Sequence, residues 1–120
     1  MDKETLYKIV HGQHSDPVKA LAELYFKGAI TLEDISIRLT LPPVLRFDAW
    51  RYIAQNEMIT AQEAGELWGL SESTLRKVFF NIENGKSNKF KENEYRKSGK
   101  VWLVKRSAMY REYGEPKVKE

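Results

Sequence analysis

Two helix starts stand close together in "TAQEAGELWGLSESTLRK", residues 60–77, and little but a bend fits between them. Thr60-Ala-Gln-Glu63 has the form of a capping box, in which the threonine side chain takes the Glu63 amide and the glutamate reaches back. Ser71 is a second N-cap, and Gly69 stands just before it. Two helices joined by so short a turn cross steeply, and the crossing restricts side chains at fixed positions. Counting from Ala61, the fourth residue must be apolar, the fifth small and the ninth best a glycine, while the eighth, tenth, fifteenth and eighteenth must be buried. Ala64, Gly65, Trp68, Gly69, Leu70, Leu75 and Val78 meet every requirement. The pattern predicts a helix-turn-helix, although ordinary helical packing also uses such corners.

If Leu75, Val78 and Phe79 face inward, Ser71, Glu72, Ser73, Arg76, Lys77 and Phe80 point outward near the start of the second helix. A helix held this way fits the major groove of duplex DNA. Arg76 suits bidentate bonding to guanine, and Ser73 and Thr74 suit a phosphate or a base edge. Glu72 can accept from a cytosine amine but repels phosphate elsewhere. The bland reading of the same residues is the wet side of an amphipathic helix. Further on, "EYRKSGKVWLV" (94–104) predicts a β-hairpin turning at Ser98-Gly99. Its basic loop is suited to act as a wing, laying Arg96, Lys97 and Lys100 along phosphates or in the minor groove while Ser98 and Gly99 let the backbone approach. Trp102 is expected in the core rather than stacked on a base.

Charge supports the same face. The chain carries net charge +3, but residues 71–111 hold eleven Lys/Arg against four Asp/Glu. A basic segment beside a near-neutral one points to a polyanion, with a solvated lysine-rich surface as the alternative. Fourteen aromatic residues suffice to anchor a core. The chain contains no cysteine, so neither a disulfide nor a thiolate site is available, in keeping with a cytoplasmic location. It has no apolar run of membrane-spanning length, and no membrane association is expected. His11 and His14 in "HGQH" lack a carboxylate pair at ligand spacing. No metal, cofactor or nucleophile constellation is read, and the chain is expected not to be an enzyme.

The expected fold class is mainly α with a small antiparallel hairpin (α+β). It comprises an N-terminal helical region (1–57), a winged helix-turn-helix (58–114) and a tail (115–120) that frays. Helices are expected over 2–10, then from Asp16-Pro17 to Gly28 with Val18, Leu21, Ala22 and Tyr25 inward. Others are expected over 30–41, and after Pro42-Pro43 with Phe47, Trp50, Ile53 and Ala54 at helical spacing. Residues 83–93 read as a polar loop. "ITLEDISIRLTL" echoes "ITAQEAGELWGL" 29 residues later, with Ile35, Ser36 and Leu39 on template positions and Arg46 where a buried residue is required. Residues 30–57 are therefore either a degenerate second helix-turn-helix or a helical extension that pads the core or mediates dimerisation. A homodimer or another protein partner is assigned to these N-terminal helices. The rival reading of the whole chain is a non-enzymatic protein-interaction module, with the corner used only for packing and "LYFKG" or the Trp50 helix as contact. RNA binding lacks the usual aromatic platform.

"ITAQEAGELWGLSESTLRK … EYRKSGKVWLVKRSAM" resembles the excisionase and MerR-like winged helix-turn-helix proteins over residues 58–113. The shared pattern is a Thr-capped first helix, a Gly-Leu-Ser turn, a recognition helix, and a hairpin whose aromatic-aliphatic run leads into a short helix. The resemblance implies sequence-selective binding of double-stranded DNA. It also implies a role in transcription regulation, phage recombination, or accessory functions of mobile and conjugative elements. The lysine-rich link at 83–93 is longer than in many such proteins.

Overall fold

Asp16 and Pro17 start a helix as their residue types dictate. In the computed structural model, which describes residues 2–118, the Asp16 carboxylate accepts from the Lys19 amide at 3.3 Å. The chain divides into two compact units, Met1–Asn56 and Glu57–Glu120.

The first unit contains α1 (Asp2–Val10), α2 (Pro17–Phe26), a π-helical turn (Asp34–Arg38) and α3 (Pro43–Asn56). α2 packs against α1 and α3. Its buried residues are Leu21, Ala22, Leu24 and Phe26. Val18 and Tyr25, expected inward, are only half-buried. Thr31 and Asp34 cap the third segment reciprocally: the Thr31 amide donates to the Asp34 carboxylate at 2.9 Å, and the Asp34 amide to Oγ1 of Thr31 at 3.1 Å. α3 departs further from the expected facing. It buries Ala49 and Ile53, while Phe47, Trp50 and Ala54 are exposed. Helical spacing defines a face but does not say whether anything lies against it.

The second unit contains β1 (Met58–Thr60), α4 (Ala61–Trp68), α5 (Glu72–Glu83), a 3-10 turn (Glu92–Glu94), β2 (Tyr95–Ser98), β3 (Val101–Lys105) and α6 (Arg106–Tyr113). The hairpin is two-thirds of a three-stranded antiparallel sheet of order β1-β3-β2. Met58 pairs with Lys105 and Thr60 with Leu103, an edge that the sequence reading did not foresee. The core gathers Ile59, Ala64, Leu67, Trp68, Leu75, Phe79, Phe90, Val104, Ala108 and Met109. The fold is thus mostly helical with a small antiparallel sheet, the α+β class expected.

The tail does not fray over the described residues. The amides of Lys117 and Val118 donate to the Leu67 carbonyl at 2.8 and 3.1 Å, and Trp68 Nε1 donates to the Gly114 carbonyl at 2.8 Å. The two bonds to Leu67 serve the end of α4, whose last carbonyls have no partner within the helix, and the indole bond ties the chain beyond α6 to the same end. Residues 119–120 lie outside the described residues.

Candidate nucleic-acid interface

The corner begins with the Thr60 cap. Its Oγ1 accepts from the Glu63 amide at 3.0 Å, and the Glu63 carboxylate receives the Thr60 amide at 3.4 Å. α4 stops because Gly69 is left-handed (φ 70, ψ 33), a conformation that costs any residue with a Cβ. The Gly65 carbonyl accepts the Gly69 amide and also the Leu70 amide, the latter at 2.8 Å. Gly65 is the stricter glycine. A Cβ there would stand 2.4 Å from the Leu70 carbonyl oxygen, so the chain entering α5 lies directly on the backbone of α4.

The outward residues of α5 differ in what they are free to do. Ser71 is the N-cap, its Oγ accepting from the Thr74 amide at 3.1 Å and bonding Oγ1 of Thr74 at 2.7 Å and Oγ of Ser73 at 3.1 Å. These three hydroxyls are already mutually engaged. Arg76 pairs with Glu72 one turn earlier at 3.8 Å, with both side chains exposed. Lys77 is exposed and has no ion-pair partner among the described residues. Phe80 is 61% exposed, an unusual place for a phenylalanine.

On the hairpin, residues 96–100 are all exposed. Ser98 is not a turn residue as expected. It ends β2 opposite Val101, and Gly99-Lys100 form the two-residue loop, Gly99 having φ 62. Positive φ at the first loop position fits the turn that follows the twist of a hairpin. Successive strand residues point to opposite faces, which divides the hairpin cations. Lys97 lies opposite Trp102 with its Nζ 5.5 Å from the indole centroid, whereas Arg96 lies opposite Leu103 on the other face. Lys100 is at the tip.

Aromatic stacking fixes the hairpin to α5. Phe79, fully buried, stacks on Tyr95 at 5.4 Å and on Trp102 at 5.2 Å, so Trp102 packs in the core as expected. The 83–93 link is more than a polar loop. Phe90, 2% exposed, meets Phe79 at 5.8 Å, and Lys89 Nζ lies 4.8 Å over the Tyr113 ring. Arg111 Nη2 donates to Glu94 at 2.8 Å and to the Lys89 carbonyl at 3.2 Å. The Arg111 bonds hold the Glu94 carboxyl below its usual range, and burial pushes the Tyr95 phenol up. Sequence reasoning missed this anchor. Its one signal was Phe90 as a lone apolar residue in a polar stretch.

The two histidines of "HGQH" serve local structure. His11 stacks on Tyr7 at 4.0 Å, and His14 Nδ1 accepts from the Asp16 amide at 3.0 Å. Among the described residues no group of three or more His, Cys, Asp or Glu is placed to hold a metal, and no helix is long and apolar enough to cross a membrane.

The sequence profile of a helix-turn-helix domain family matches residues 53–118, more than half of the chain. The chain belongs to that family, and DNA is the partner class that goes with it. Comparison with curated proteins and with solved structures gives no match.

Proposed function

We propose that this protein binds double-stranded DNA with α5 in the major groove and the β2–β3 hairpin along the backbone. It acts as a transcriptional regulator, or as a recombination or transfer accessory factor of the excisionase and MerR-like kind, in the cytoplasm and without a catalytic step. The observation that carries this reading is the corner itself. Gly65 and Gly69 hold the start of α5 rigidly, and the face turned outward carries Arg76 and Lys77. Arg96, Lys97 and Lys100 add three exposed cations without ion-pair partners among the described residues. Groove reading falls to Arg76, Lys77 and Phe80, which suits an apolar contact to a thymine methyl. Ser71 and Thr74 serve chiefly the cap, leaving their hydroxyls secondary to it.

The test is a fluorescence titration of a random-sequence 30-mer duplex at two salt concentrations. Each phosphate neutralised contributes a slope of about −0.9 in log K against log salt, so binding that weakens steeply supports the reading. Absence of binding at low salt, both to this duplex and in a selection from random duplexes, removes it.

A further inference from the structure

Residues 30–54, although their first segment is a π-helical turn, match the corner of residues 59–83 at several positions but present a different chemistry outward. The Thr31/Asp34 reciprocal cap stands where Thr60/Glu63 stands 29 residues later. Thr40, with φ 47, is the one non-glycine residue with positive φ among the described residues, and it occupies the place of Gly69. Ile30 and Leu41 are buried, in the places of Ile59 and Leu70. The Ser36 carbonyl, in the place of Gly65, accepts Arg46 Nη1 at 2.8 Å. The half-buried arginine that breaks the sequence template therefore satisfies a carbonyl at this corner. Shifted by 29 residues, the outward Ser73, Arg76, Lys77 and Phe80 become Val44, Phe47, Asp48 and Arg51. Where α5 offers cations, α3 offers Val44 and Phe47, which are 73% and 55% exposed, with Asp48 and Arg51 beside them. A polyanion gains nothing from such a face.

We propose that the face of α3 formed by Val44, Phe47, Asp48 and Arg51 binds the same face of a second copy of the chain, the two helices running antiparallel about a twofold axis at the level midway between Asp48 and Arg51. A twofold interface must be self-complementary, and the charges on α3 satisfy that condition. Asp48 has no ion-pair partner among the described residues. The Arg51 guanidinium, with no ion-pair partner among the described residues, lies 4.8 Å over the Phe47 ring. Antiparallel pairing sets Asp48 of each copy against Arg51 of the other. It also sets Val44 against Gln55, with the Phe47 rings beside the axis. Aromatic anchors ringed by compensating charges are what stable interfaces use. The pairing requires no DNA and stands or falls apart from the DNA reading.

The test is sedimentation equilibrium of the full chain, without DNA, from about 1 to about 100 μM. Wild type is expected at twice the 14.0 kDa chain mass, with circular dichroism confirming that each variant keeps its helices. Phe47→Glu should sediment as a monomer. Asp48→Arg and Arg51→Asp each place like charges together and should weaken the dimer tenfold or more. An equimolar mixture of those two variants restores both pairs and should recover the dimer. Three results overturn the proposal: a monomeric wild type throughout, a dimer indifferent to Phe47→Glu, or a mixture no tighter than its components. Because Arg51 is exposed and Asp48 only half-buried, the mixing experiment remains decisive if Phe47→Glu fails to fold.

Discussion

The Trp102 indole stacks on Phe79 with ring centroids 5.2 Å apart and planes 28° from parallel, joining the hairpin to the inner face of the helix whose outer face carries Arg76 and Lys77. Register continues the connection, since Lys97 pairs with Trp102 and lies over its ring. The position of a hairpin cation is thus set by a core contact. Phe79→Ala should cost about 3–5 kcal/mol, as expected for a fully buried aromatic, measured by urea denaturation.

Gly65→Ala should destabilise more than Gly69→Ala, although Gly69 is the turn residue. At Gly69 the added Cβ costs about 1–2 kcal/mol for left-handed backbone and meets only the flexible Lys117 side chain at 3.2 Å. At Gly65 it meets the Leu70 carbonyl, which is backbone and cannot turn aside. Equal denaturation midpoints for the two variants would contradict this.

Glu72 restrains Arg76 and adds a negative charge to a face read as meeting phosphate. Glu72→Gln should therefore tighten binding to random duplex, whereas Arg76→Ala should weaken binding to a selected site by about 1–3 kcal/mol. Lys97→Ala should weaken all duplexes alike and lower the salt slope by about one phosphate. Anisotropy titrations of the three variants separate these effects, and unchanged binding in both Arg76→Ala and Lys97→Ala would remove the groove arrangement.

Arg111 holds the Glu94 carboxyl below its ordinary value of 4.5. A group whose folded value is lowered contributes stability above its unfolded value, and the contribution is lost as pH falls through the folded value. Thermal midpoints should therefore drop as the pH is taken below 4.5. Glu94→Gln should start lower at neutral pH and fall less steeply, because glutamine has no proton to take up.

What the sequence determined by itself is the local punctuation. Thr60 and Glu63, Ser71, Asp16 with Pro17, and Gly69 act on backbone groups within a few residues, so residue type and spacing suffice to place the corner and the helix starts. What only the tertiary structure decided is what lies against each face. Periodicity put Phe47 and Trp50 on a helix stripe, yet both are exposed, while Phe90 from a polar link is buried against Phe79. β1 was illegible for the same reason. Three residues carry no strand signal of their own, and Met58 becomes a strand only because Lys105 is there to pair with it. Burial and strand pairing depend on contacts between residues distant in the chain, and these exist only once it has folded.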